Sequence, residues 1–145
     1  MKEPGFEFLE HTADIKIRCW GTRLEQAFTQ AAYALMTVIT PQLDKVSQNT
    51  TKHITLEAED KEALLFDFLS EFLFIFDVEK LVFSFIEVES IKKTRESFII
   101  DAQLRGEEFN KEVHEVGTEV KAITYSYMKI EEKDDEVIIE LVLDI

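Results

Sequence analysis

Apolar residues recur at spacings of three and four in two stretches of the chain, which is the pattern of helices with a buried face. The first stretch spans 22–39 and opens with Thr22 and Glu25, whose spacing is that of a capping box. The second spans 63–76, follows Asp60 as a candidate N-cap, and is apolar nearly all round. A helix of that kind must be covered on more than one face, so we expect it to be the central core helix. The residues expected in its core are Phe68, Leu69, Phe72 and Leu73.

Alternation of apolar and polar residues, which is typical of β-strands, accounts for most of the remaining chain. The alternating segments are 53–58, 81–91, 98–104 and 120–130. A charged turn at 92–96 joins segment 81–91 to segment 98–104, so we expect these two to form an antiparallel hairpin. Gly106 is expected to end the second strand of this hairpin. The last strand, 137–143, is too uniformly apolar to lie at the edge of a sheet.

These elements predict the fold class. A chain of 145 residues has the size of one domain and can bury a core without disulfides or metal ions. We therefore predict an α+β fold, a single domain over residues 1–145. Its mixed or mostly antiparallel sheet is expected to pack against the two main helices.

The apolar side of the N-terminal strand pattern changes parity between residues 8 and 15. Apolar side chains occupy even positions before this break and odd positions after it. Because strand side chains alternate between faces, the change requires a bulge or a tight loop. His11 and Asp14 lie at the break, where a loop can re-aim side chains towards a functional site. An Asx or Thr turn that closes a hairpin explains the same residues, and the pattern leaves both interpretations open.

Charge and composition exclude several classes of protein. The formal net charge of −14 repels a phosphate backbone, so tight direct binding of RNA is not expected. Acidic excess suits divalent cations or a basic partner surface, although an ordinary solvated acidic face explains it as well. Cys19 is the single cysteine, and the chain starts without a charged and then apolar leader, so we expect an intracellular, cytoplasmic protein. The longest apolar stretch, 63–78, is interrupted by acidic residues, so no membrane span is expected.

The end of the chain carries candidate metal ligands. Asp144 and the terminal carboxylate of Ile145 follow directly after the buried last strand. Two negative groups so close together repel each other unless solvent or a cation relieves them. If Asp14 lies alongside, three oxygen donors converge, and such a set suits Ca²⁺ or Mg²⁺ better than zinc. A frayed, solvated terminus is the alternative.

A second polar group lies in the segment 114–125. Its members His114, Lys121 and Thr124 either face a pocket or decorate a loop and an exposed strand face. The chain has no nucleophile elbow, P-loop, dinucleotide fingerprint, zinc-protease motif or EF-hand loop. A hydrolase that used Asp14 and His114 would therefore lack both a nucleophile and a phosphate-binding loop.

Several of these segments, taken in order, resemble the signature blocks of the archease family. They are FLEHTADI at 8–15, the acidic and aromatic helix at 64–77, GE at 106–107, His114, GTEVKAITY at 117–125 and LDI at 143–145. The resemblance covers essentially the whole chain. It implies a non-catalytic activator of the RtcB-type, GTP-dependent RNA ligase that joins tRNA halves, promoting guanylylation of the ligase and its repeated turnover. Some members are linked instead to a tRNA methyltransferase as a chaperone-like partner.

The resemblance also implies a site. It assigns a divalent cation to Asp14, Asp144 and the carboxylate of Ile145, with Ca²⁺ as the first choice and Mg²⁺ or Mn²⁺ as alternatives. His11, His114, Lys121 and Thr124 are the candidate supporting or partner-contact residues. The chain departs from the family pattern at Ser126, where many members carry His, and at Asn110, where an acidic residue is common. A role assigned to that His would not transfer to this chain.

Overall fold

Two antiparallel β-sheets pack against two α-helices within residues 2–145, the range that this computed structural model describes. The strands are β1 (Gly5–Leu9), β2 (Ile15–Gly21), β3 (Thr50–Ala58), β4 (Leu81–Lys93), β5 (Phe98–Glu108), β6 (Ala122–Glu132) and β7 (Val137–Asp144). The helices are α1 (Leu24–Ile39) and α2 (Lys61–Glu79), and a short 3₁₀ turn lies at Leu43–Lys45. One sheet has the strand order β1-β2-β7-β6 and the other β3-β5-β4. The predicted α+β class with two main helices is confirmed.

Helix α2 is the central element that its apolar sequence predicts. Asp60 caps it, since its Oδ1 accepts a hydrogen bond from the backbone N–H of Ala63 at 2.7 Å. The helix contacts α1 and strands of both sheets. These contacts bury several of its faces, which explains why its sequence is apolar nearly all round. Phe68, Leu69 and Phe72 are fully buried, whereas Leu73 is only partly buried at the rim of the core.

The N-terminus of α1 differs from the predicted capping box. The N-cap is Arg23, without a side-chain cap, and Thr22 donates from its N–H and its hydroxyl to Gln26 Oε1, both at 2.8 Å. The Glu25 carboxylate instead accepts the backbone N–H of Ile91 in β4. The predicted capping box is wrong, because the Glu25 carboxylate binds a strand that is distant in sequence and not the start of its own helix.

Glu25 is one of three α1 side chains that protect the free edge of β4. Thr29 accepts the N–H of Val88 at 3.0 Å, and the Tyr33 hydroxyl accepts the N–H of Ile86 at 2.9 Å. The three side chains are spaced four residues apart, so they share one face of the helix. An edge strand with unpaired N–H groups is prone to pair with other chains, and α1 covers that edge.

Strands β5 and β7 test two further predictions. Gly106 does not end β5, since it lies inside the strand opposite Phe83. A Cβ at this position would lie 1.8 Å from the carbonyl oxygen of Val82, so the glycine permits a close approach of β4 rather than a break. Strand β7 lies between β2 and β6, which confirms that it is not an edge strand.

The parity change near the N-terminus coincides with the β1–β2 hairpin. The last pair of the hairpin is Leu9 with Lys16, and residues 10–14 form its loop. Cys19 in β2 is fully buried, and burial raises the pKa of its thiol, as expected for a small core residue. Within residues 2–145, no helix is both long and apolar enough to cross a lipid bilayer.

Candidate functional site

The strand register places Asp14 and Asp144 at the same end of the four-stranded sheet. The pairing of β2 with β7 ends at Ile15 and Leu143, and each aspartate lies one residue beyond that pair. Leu143 is fully buried and strand side chains alternate, so Asp144 points away from the core, where it is exposed. The Asp144 carbonyl accepts the N–H of Lys121 at 2.8 Å, which fastens the end of β7 to the start of β6.

The hairpin loop brings His11 next to Asp14. Ala13 has φ 65°, a left-handed conformation that an alanine rarely adopts and that turns the chain sharply. As a result His11 Nδ1 lies 3.9 Å from Asp14 Oδ2. Within residues 2–145, this Nδ1 is the buried side-chain polar atom that has no hydrogen-bond partner. Buried polar atoms are nearly always hydrogen-bonded, so this unpartnered nitrogen beside a carboxylate marks His11 as a candidate for contact with a bound ion, water or ligand.

The ring of Tyr127 packs against the imidazole of His11. The two rings meet edge to face, with centroids 5.2 Å apart and planes inclined by 77°. Tyr127 has φ 62° and lies where the pairing of β6 with β7 is interrupted, between Thr124 and Lys129. Strained, irregular strand backbone of this kind often re-aims side chains at functional sites. Nothing in the apolar and polar pattern of the sequence indicates this bulge, so Tyr127 was not among the predicted site residues.

An open depression of about 960 Å³ adjoins the two hairpin residues His11 and Asp14. The β1–β2 hairpin forms one wall, and the end of α1 with the loop before β6 forms the other. The lining side chains include Phe8, His11, Thr12, Asp14, Thr37, Val38, Pro41 and Thr118. The depression is therefore lined largely by apolar side chains, together with the carboxylates of Glu10 and Asp14 and the imidazole of His11.

The 109–121 loop closes the second wall by binding the end of α1. Gly117 donates its N–H to the Ile39 carbonyl at 2.9 Å, and Thr118 donates to the Val38 carbonyl at 2.8 Å. These bonds satisfy carbonyl groups that a helix end leaves without partners. A Cβ on Gly117 would lie 2.1 Å from the Val38 oxygen, so only glycine allows this approach.

His114 lies in a different place from Asp14. Its ring is buried, with Nδ1 accepting the N–H of Asn110 at 2.9 Å and Nε2 lying 2.8 Å from Glu107 Oε2. The N–H of Ser47 and the His114 ring both bind the Glu107 carboxylate and hold the pKa of Glu107 below its usual value. His114 and Asp14 line separate depressions, so the structure does not assemble the pair that a hydrolase would need.

Lys121 and Thr124 occupy β6 or its approach. Lys121 is exposed and lines a depression of about 640 Å³ beside α2, and its backbone binds the end of β7 at Asp144. Thr124 pairs with Val142, and its hydroxyl accepts the N–H of Ser126 at 3.0 Å. Lys121 is therefore connected to the carboxylate pair through the backbone, whereas Thr124 lies further along the strand.

The donors at the strand ends fit a hard divalent cation in type. Within residues 2–145, no three side chains of His, Cys, Asp or Glu lie close enough together to hold a metal ion. Asp14 and Asp144 supply two carboxylates. A third ligand would therefore be the predicted terminal carboxylate of Ile145 or a backbone carbonyl oxygen. Carboxylate and carbonyl oxygens are the ligands that Ca²⁺ and Mg²⁺ prefer.

Comparison with known proteins defines the class to which this fold belongs. Residues 6–145 match the Archease protein family (MTH1598/TM1083). Protein archease of Pyrococcus abyssi is 46% identical over 130 residues, which cover 90% of each chain. Protein archease of Methanosarcina acetivorans is 39% identical over 140 residues, covering 97% of this chain and 95% of the relative. The chain therefore belongs to the archease family, which confirms the resemblance of its sequence segments.

Two solved structures share the fold. The solution structure of Methanobacterium thermoautotrophicum protein 1598 superposes with a TM-score of 0.82 at 32% identity, covering 97% of this chain and 99% of that one. The crystal structure of a Thermotoga maritima archease, described as a possible chaperone, has a TM-score of 0.61 at 23% identity. It covers 100% of this chain and 98% of its own, and at this identity the likeness concerns the fold alone.

Proposed function

We propose that the chain is a non-catalytic activator of an RtcB-type, GTP-dependent RNA ligase and acts through a divalent cation at Asp14 and Asp144. The observation that carries the proposal is the strand register, which places both carboxylates just beyond the Ile15–Leu143 pair. Asp144 is the last residue of β7 and Asp14 directly precedes β2, so paired strands anchor the backbone beside both carboxylates. Carboxylates anchored in this way lose less conformational entropy when they bind a cation. Membership of the archease family supports the same partner.

The residues around the pair have separate roles in this proposal. Asp14 and Asp144 hold the cation, with the carboxylate of Ile145 as the predicted third ligand. His11 supports Asp14 through its free Nδ1, which lies 3.9 Å away. A bound cation, with Ca²⁺ as first choice and Mg²⁺ or Mn²⁺ as alternatives, would supply positive charge for the phosphates during guanylylation of the ligase.

The charge of the chain favours a protein partner over RNA. A net charge of −14 is attracted to a basic protein groove and repelled by tRNA phosphates. We therefore expect the free protein to give no salt-sensitive shift of tRNA in a gel. Tight binding to tRNA alone would contradict this part of the proposal.

Covalent guanylylation of purified ligase by GTP tests the proposal directly. Asp14→Asn and Asp144→Asn should reduce guanylylation to the level of the ligase alone, while the control Asp135→Asn, in the exposed turn before β7, should activate like the wild type. In parallel, a hundredfold excess of Ca²⁺ over its Kd should stabilise the wild type by about 2.7 kcal/mol. Neither aspartate is in the apolar core, so the cation-free variants should remain folded.

Two outcomes would change this view in different ways. Full activation by both aspartate variants would overturn the proposal. A chain extended beyond Ile145 tests the third ligand, because the extension converts the carboxylate into an uncharged amide. If the extended chain binds Ca²⁺ and activates the ligase normally, the site must be redrawn around Asp14 and Asp144 with His11 or a backbone carbonyl.

A second candidate is a chaperone-like partner of a tRNA methyltransferase. Membership of the archease family favours it, since some members are linked to such an enzyme, and the Thermotoga maritima archease is itself described as a possible chaperone. A chaperone would act by covering apolar surface, so its effect would not depend on the carboxylates. Protection of the methyltransferase from aggregation by wild type and Asp14→Asn alike, without any effect on ligase guanylylation, would select this candidate.

A further inference from the structure

Helix α2 keeps apolar side chains on its outer face, away from the core. Phe74 and Val78 are each 60% exposed and lie four residues apart, which puts them on one side of the helix. Ser70 and the half-buried Phe66 continue the same line at further intervals of four. Phe66 also packs against the core, whereas Phe74 and Val78 lie on the side of the helix that the two sheets leave uncovered.

Tyr125 extends this line from the neighbouring strand β6. Its ring stacks on that of Phe66, with centroids 4.4 Å apart and planes inclined by 4°, and the tyrosine remains 53% exposed. We refer to Phe66, Phe74, Val78 and Tyr125 as the α2 stripe. At these exposures the stripe presents roughly 300 Å² of apolar and aromatic surface, which is the size of patches that are often functional.

Carboxylates accompany the α2 stripe along its length. Asp67, Glu71 and Asp77 belong to the same helix, and none of them takes part in an ion pair within residues 2–145. At the Tyr125 end, partial burial and then the charges of Asp67, Asp60 and Glu59 raise the pKa of the phenol. The surface is therefore apolar along its middle and negative at its margins.

We propose that the α2 stripe binds an amphipathic, positively charged helical segment of a partner protein. Leucine-like side chains of the segment would cover Phe74 and Val78, and its arginines or lysines would reach Asp67, Glu71 and Asp77. Two helices commonly associate by packing their apolar stripes against each other. A second copy of this chain fits less well, because a symmetric contact would place the same carboxylates against each other. The inference goes beyond the proposed function and does not involve the Asp14 and Asp144 carboxylates.

The probe is a synthetic peptide of about 16 residues, or some four helical turns, with leucines on one face and arginines on the other. Its binding is followed by fluorescence anisotropy. The double variant Phe74→Ser, Val78→Ser should bind at least about tenfold more weakly than wild type, as expected when central apolar contacts are removed. Val113→Ser, which changes a 56% exposed residue of another segment, should bind like wild type. Circular dichroism verifies that both variants are folded.

Charge provides the second arm of the test. A peptide with glutamates in place of arginines should not bind, and salt should weaken binding of the arginine peptide because the margins of the stripe are exposed. Asp67→Asn combined with Glu71→Gln should reduce that dependence on salt. Equal affinity of the wild type and the Phe74, Val78 double variant would overturn the inference. Analytical ultracentrifugation provides the other contrary outcome. If the wild type forms dimers and this double variant does not, the stripe binds a second copy of the chain and the inference is overturned.

Discussion

Replacing Gly117 by alanine should detach the loop before β6 from the end of α1. The added Cβ would lie 2.1 Å from the carbonyl oxygen of Val38 and 2.8 Å from that of Ile39. Both are backbone atoms at the end of a helix, so they cannot move away by a change of rotamer as the atoms of a flexible side chain can. The loop has to move by about 1 Å or more to restore ordinary van der Waals contact.

That movement would break the three hydrogen bonds that join the loop to the helix end. They run from Gly117 to Ile39, from Thr118 to Val38, and from the hydroxyl of the fully buried Thr40 to the Glu115 carbonyl at 2.8 Å. Each bond contributes about 1 kcal/mol net, so their loss should lower the free energy of unfolding by about 3 kcal/mol. For a chain of this length the Tm should fall by about 6–12 °C.

Thermal unfolding and amide hydrogen exchange measure this effect. Gly117→Ala should show the lower Tm together with faster exchange at Thr118, whereas Lys111→Ala, an exposed change in the same loop, should alter neither. An unchanged Tm with full protection at Thr118 would refute the steric argument. That result would mean that the loop accommodates a Cβ at residue 117 without losing its hydrogen bonds to the end of α1.

Two further predictions concern polar contacts. Glu107→Gln should destabilise the fold by about 1 kcal/mol near neutral pH, because the carboxylate accepts the Ser47 N–H and binds His114. The folded-state pKa of Glu107 lies below its ordinary 4.5, so this contribution is present above pH 4.5 and is lost as pH falls through the lower folded value. The difference in urea midpoint between variant and wild type should therefore shrink below pH 4.5. Asp60→Ala should lower the free energy of unfolding by about 1 kcal/mol, because it removes the N-cap of α2. Urea unfolding measures this loss, with Asp135→Ala as the control. An unchanged midpoint would show that the cap does not stabilise the fold.

Local signals in the sequence were sufficient for several elements of the fold. The apolar run with an Asp60 cap determined α2, because helical periodicity and capping act within a few residues. The uniformly apolar β7 had to be central, since both of its faces need cover. The change of parity located the break between β1 and β2, because alternation requires a bulge or a tight loop there, and the structure has the loop of a hairpin.

Other assignments depended on residues far apart in the chain. Glu25 has the spacing of a capping residue, yet it binds Ile91, which lies 66 residues further on. Gly106 looks like a strand break, yet it admits the backbone of β4 at Val82 and Phe83, next to the irregularity between Phe83 and Phe85. His114 stays a candidate site residue, and only the structure shows that its ring is buried and bonded to Glu107 and to the N–H of Asn110. No local pattern encodes such contacts, because they arise when separate elements pack.

The candidate site divides in the same way. Sequence alone singled out Asp14 and Asp144, the first at a break in strand parity and the second after a buried strand. Only the pairing of β2 with β7 sets them side by side, because strand register is decided by which faces are buried together across the sheet. The orphaned nitrogen of His11 and the bulge at Tyr127 also belong to the tertiary structure, since each depends on how the hairpin loop meets β6.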